Sequence, residues 1–103
     1  MISYNKAVRD KIPKIIKDSG MGCDFKKISD SEFLAELEKK IMEEIKEYEE
    51  SKNVEELADI LEVTYRIAAL RGVDEKKLNE IRQQKAASRG KFNDNVFLIK
   101  TDD

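Results

Sequence analysis

Apolar residues return along the middle of this chain at intervals of three and four, the rhythm of helices with one buried face. Leu34, Leu37, Ile41 and Tyr48 form one such stripe and predict a helix from Ser29 to about Ser51. Ser29 and Glu32 stand at capping-box spacing, which marks its start. One position breaks the rhythm: Glu44 stands where an apolar side chain is expected. A further helix is predicted from Asn53 to about Arg71, with Glu56 placed as the partner in a second capping box and Gly72 suited to the stop. Its run Leu57 to Leu70 is apolar almost all round, so it is covered on most sides. Ile60, Val63, Ile67 and Leu70 make one stripe; Leu57, Leu61, Ala68 and Arg71 follow another. A last helix is expected from near Asp74 to about Arg89, with Leu78 and Ile81 facing inward and Gly90 ending it. Nearer the N-terminus, Val8, Ile12, Ile15 and Ile16 predict a helix over Lys6 to Asp18. Pro13 falls inside that pattern, so this helix is either kinked there or begins near it.

These elements define an all-α fold, a four-helix bundle in a single domain spanning 1–103. A minor two-stranded ribbon is expected beside it, pairing about 23–28 with 96–99, because neither apolar run could stand alone. The length of 103 residues gives a thin core, which makes a partner subunit plausible. The second apolar stripe of the third helix has no obvious cover within the chain, so a homodimer or a dimer of dimers is expected.

Composition narrows the chemistry. Charged residues make up 41% and hydrophobic ones 40%; 20 basic residues face 22 acidic ones, for a net charge of −2. That balance argues against non-specific binding of a nucleic-acid polymer, which needs a net basic surface. The chain has no His, which removes His triads, His bases and His-based zinc sites. Cys23 is the only cysteine, so no intrachain disulfide forms. No stretch approaches the ~20 apolar residues of a membrane span. The opening Met1-Ile-Ser-Tyr has no signal-peptide core, and the expected location is cytoplasmic.

The acidic residues are patterned. Glu44 and Glu47 lie three apart on one helix; Glu56 and Asp59 lie three apart on the next. Such pairs share a helical face. A sharp turn at Ser51-Lys52-Asn53 would set the helices antiparallel and bring both pairs together. Four carboxylates in a partly buried space raise one another's pKa unless something compensates. A hard divalent cation does so, and an all-oxygen donor set suits Mg²⁺, with Mn²⁺ as a substitute. Asp59 sits within an apolar run and has no basic partner one helical turn on, where Val63 stands. Glu43 and Glu47 are the candidate general bases, since no His is available. Lys85 and Arg89, on a basic stripe with Arg82, and Arg9 near the N-terminus are candidate phosphate binders.

The chain resembles the all-α nucleotide pyrophosphohydrolases, the MazG-like and phosphoribosyl-ATP pyrophosphohydrolase-like superfamily. The acidic signature carries this, together with Tyr4-Asn-Lys-Ala-Val-Arg-Asp-Lys-Ile-Pro13, Glu55-Glu-Leu-Ala-Asp-Ile-Leu-Glu-Val63 and Lys85-Ala-Ala-Ser-Arg-Gly-Lys-Phe92. These segments resemble a small single-domain subgroup and cover nearly the whole chain. Lys91 stands where that subgroup tends to have a second Gly. The resemblance implies a dimeric or higher all-α enzyme with Mg²⁺ held by Glu44, Glu47, Glu56 and Asp59. It also implies cleavage of a nucleoside triphosphate between the α- and β-phosphates, giving monophosphate and pyrophosphate. Phosphoribosyl-ATP pyrophosphohydrolase activity is an alternative, although the C-terminal signature of those enzymes is not cleanly present. A non-catalytic helical dimerisation module is the other alternative. Glu44 on an apolar stripe and an unpaired Asp59 are the features such a module would not need.

Overall fold

The computed structural model describes residues 1–102. It has four helices in chain order: α1 (Ile12–Asp18), α2 (Asp30–Ser51), α3 (Val54–Leu70) and α4 (Glu75–Arg89). The all-α four-helix fold expected from the periodicity is therefore present.

Local chemistry sets the boundaries. At the start of α2, the Ser29 hydroxyl accepts from the Glu32 N–H and the Glu32 carboxylate accepts from the Ser29 N–H, so the capping box forms. α3 ends with Gly72 at φ 87°, its N–H bonded to the Ala69 carbonyl and the Val73 N–H to the Ala68 carbonyl. That pair of bonds satisfies carbonyls at the helix end, and only a residue free to take positive φ adopts this bend without strain. α1 takes the second of its two expected forms. It begins at Ile12 with Pro13 in its first turn, where the missing N–H removes no helical bond.

The expected ribbon does not form. Among the described residues there is no strand, and no backbone hydrogen bond joins 23–28 to 96–99. Cys23 is held back against α1, its Sγ 3.7 Å from the Pro13 carbonyl oxygen. Val96 to Ile99 are 74–87% exposed. A two-stranded ribbon has little stability of its own, and nothing here brings the two runs together.

α2 and α3 form an antiparallel hairpin, the main packing in the molecule, and α4 packs on α3 alone. Leu37 of α2, Val63 of α3 and Ala7 of the N-terminal segment are the buried core, with Phe33, Ile41, Ile67 and Leu70 packed around them. The first stripe of α3 thus faces α2, as its spacing predicts. The second does not find cover: Leu57 and Leu61 are 43% and 50% exposed. The molecule extends 60 Å along its longest axis, with a radius of gyration of 18.0 Å. A compact chain of this length has about 13 Å.

Candidate metal centre

The α2–α3 hairpin gathers the carboxylates that the sequence singles out. Ligand oxygens of Glu44, Glu56 and Asp59 all lie within 4.8 Å of one another. Glu47 joins them, its carboxylate a close neighbour of those of both Glu44 and Glu56. These carboxylates would hold one hard ion if their side chains converged on it.

Glu44 is the residue most at odds with its surroundings. It is 7% exposed, on the stripe that continues from Leu37 and Ile41. Its Oε1 lies 3.7 Å from the Lys40 ammonium, and its Oε2 is buried with no hydrogen-bond partner. Burial, then the neighbouring Glu47 charge, pushes its carboxyl above the usual carboxylate range, against the pull of Lys40. Partial burial and then Glu47 push Glu56 the same way. Like charges and desolvation both disfavour the ionised form. A nearly buried carboxylate with an unpartnered oxygen, grouped with two further carboxylates, is a hard-ion donor set, and these residues fit Mg²⁺ or Mn²⁺.

Two local expectations change. The second capping box is not made: the Asn53 side chain accepts from the Glu55 N–H, and the Asn53 N–H donates to the Ser51 hydroxyl. Glu56 is therefore released from any capping duty and its carboxylate turns into the cluster. Asp59 is not unpaired. Arg9 donates to its Oδ1 at 2.6 Å, across 50 residues of sequence. Spacing along a helix finds partners one turn away and is blind to one supplied by the N-terminal segment. The pair is 53% and 39% exposed, and pairs that open to water contribute about 1 kcal/mol or less.

The remaining candidates lie elsewhere. Glu43 is exposed and is turned about 100° around α2 from Glu44. Lys85 and Arg89 line a groove of about 400 Å³ with Arg82, Ala86, Gly90, Lys91 and Phe92. Among the described residues no ion pair joins Arg82, Lys85 or Arg89 to a carboxylate. The helix that carries them does not pack on α2. Lys40, whose ammonium is the nearest counter-charge to Glu44, is a site residue that the sequence reading passes over. Its i, i+4 spacing to Glu44 is the signal that could have found it.

No family model, curated protein or solved structure matches this chain. Among the described residues, no helix is long and apolar enough to cross a membrane.

Proposed function

We propose that the chain is a Mg²⁺-dependent nucleoside triphosphate pyrophosphohydrolase that cleaves between the α- and β-phosphates. The observation that carries this reading is Glu44, a nearly buried carboxylate with an unpartnered oxygen, set against Glu56 and Asp59. In this reading those three residues and Glu47 hold the ion. Bound there, Mg²⁺ supplies charge neutralisation for a triphosphate and for an in-line displacement at phosphorus. Glu47 touches the cluster yet is exposed, so it is the better placed of the two candidate bases to accept a proton from an attacking water. Arg9 is already at the site and offers a bidentate guanidinium to phosphate oxygens. Lys85 and Arg89 serve the phosphates from a second copy of the chain, in a homodimer or a dimer of dimers.

The non-catalytic module is the second reading, and the Arg9–Asp59 bond favours it, because it gives Asp59 a structural partner. Glu44 keeps the enzyme reading ahead: a dimerisation module gains nothing from an orphaned carboxylate in its core. Pyrophosphate release from a panel of nucleoside triphosphates, with Mg²⁺ and with Mn²⁺, tests the proposal. Absence of both turnover and calorimetric binding of either ion would overturn it.

A further inference from the structure

The protein exposes 9415 Å². A folded monomer of 11.9 kDa exposes about 6,000 Å², so about 3,400 Å² is in excess. A standard protein–protein interface needs only about 800 Å² from each partner.

Two apolar features stand out on this exposed surface. The first is a strip on the hairpin. The Glu38–Arg71 ion pair marks one side of the α2–α3 packing. Met42 and Ile45 follow Glu38 at i+4 and i+7, and Leu61 and Leu57 precede Arg71 on the same line of α3. The four residues therefore share that side, and they are 39–65% exposed. The second is the run Val96-Phe97-Leu98-Ile99. In an extended segment, alternate side chains face opposite ways. A run apolar at all four positions needs cover on both sides, and its own chain covers it on neither.

We propose that the C-terminal run of one copy packs on the Met42–Leu61 strip of a second copy, and that the exchange is reciprocal. The run is the apolar segment the strip lacks, and the strip is a surface the run lacks. Lys100 follows the run directly, and Glu49 closes the strip on the same line as Met42 and Ile45. The charges at the two ends are opposite. This proposal rests on the self-association included in the functional reading and on none of its chemistry.

The test is disulfide trapping in full-length chains carrying Cys23→Ser. Leu61→Cys and Leu98→Cys are placed on separate chains, mixed and oxidised, with far-UV circular dichroism confirming that each folds as wild type. The mixed pair should link into a dimer faster than Leu98→Cys mixed with Lys14→Cys. The double variant, diluted into a large excess of cysteine-free chain, should form no link within itself. In light scattering, Phe97→Asp with Leu98→Asp should weaken the dimer at least about tenfold, since the charges would be buried unpaired. A dimer with no Leu61–Leu98 link overturns the exchange and leaves self-association standing. A link within one chain overturns it as well. A monomer at all concentrations overturns the exchange and the self-association together.

Discussion

Replacing Glu44 by Leu should make the metal-free protein more stable and remove its response to Mg²⁺. The wild-type carboxylate is 7% exposed, with one oxygen 3.7 Å from Lys40 and the other without a partner. A buried polar atom left unsatisfied costs about 1–3 kcal/mol, and more when it belongs to a charged group. Leu is close in volume and extends the stripe of Leu37 and Ile41, so the substitution recovers much of that cost. Lys40 loses its partner, and its side chain is only 17% exposed, so its ammonium must turn outward along the flexible stem to reach water, which offsets part of the gain. The net expectation is a gain of about 1–2 kcal/mol in EDTA, read from urea unfolding midpoints at pH 7. Mg²⁺ should act the other way. At one hundred times its dissociation constant a ligand that binds only the folded state adds about 2.7 kcal/mol, which wild type should show and Glu44→Leu should not. A variant less stable than wild type in EDTA would mean that Glu44 is a structural residue satisfied by Lys40. A variant that still gains from Mg²⁺ would place the ion elsewhere.

Other expectations follow from the same cluster. Because the carboxyls of Glu44 and Glu56 are raised in the fold, the folded state holds more protons than the unfolded chain just above the ordinary carboxylate range. Apo stability relative to Glu44→Leu should therefore fall as pH rises through that interval. Mg²⁺ binding should tighten over the same interval and release protons, measurable by calorimetry in buffers of different ionisation enthalpy. Glu56→Gln should leave stability within about 0.5 kcal/mol, since no capping bond depends on it, while lowering Mg²⁺ affinity and turnover; unchanged affinity would remove Glu56 from the ligand set. Arg9→Gln should tighten Mg²⁺ binding without nucleotide by about 1.4- to 5-fold, the worth of an exposed ion pair, while raising KM for the triphosphate. A weaker ion affinity would show that Arg9 orders the site instead of competing for it. Ser29→Ala should cost about 1 kcal/mol in urea unfolding, the usual value of an N-cap.

Signals confined to a few neighbouring residues were legible in the sequence. Ser29 and Glu32 form their capping box, Gly72 ends α3, and the turn at 51–53 sets α2 against α3 as the spacing of the two acidic pairs requires. Glu44 was visible because it interrupts a stripe, and an interruption is a local feature. What failed depended on where distant segments go. Asn53 caps α3 through the Glu55 N–H, and the Ser51 hydroxyl takes the Asn53 N–H that a capping box would give to the Glu56 carboxylate. Arg9 reaches Asp59 because the N-terminal segment lies on the hairpin, with Ala7 in the core beside Leu37 and Val63. No helical spacing encodes that contact. The 23–28 and 96–99 runs each lack a strand partner of their own, and nothing local to either says where the other segment goes.

The charges around the cluster would suit a divalent ion. Four carboxylates, Glu44, Glu47, Glu56 and Asp59, meet two cations: Lys40 at Glu44 and Arg9 at Asp59. With every group ionised, four negative charges against two positive ones leave two negative charges uncompensated, the charge that one Mg²⁺ carries. Those two are not spread evenly. Lys40 and Arg9 each hold one edge of the cluster, and the Glu47–Glu56 side has no basic partner among the described residues. Burial and then the neighbouring carboxylates raise both Glu44 and Glu56, and proton uptake there relieves the same imbalance when no ion is bound. A proton and a divalent ion would therefore compete for one deficit of charge. The stability that Glu44 withholds from the apo fold is what a cation bound at this position would recover.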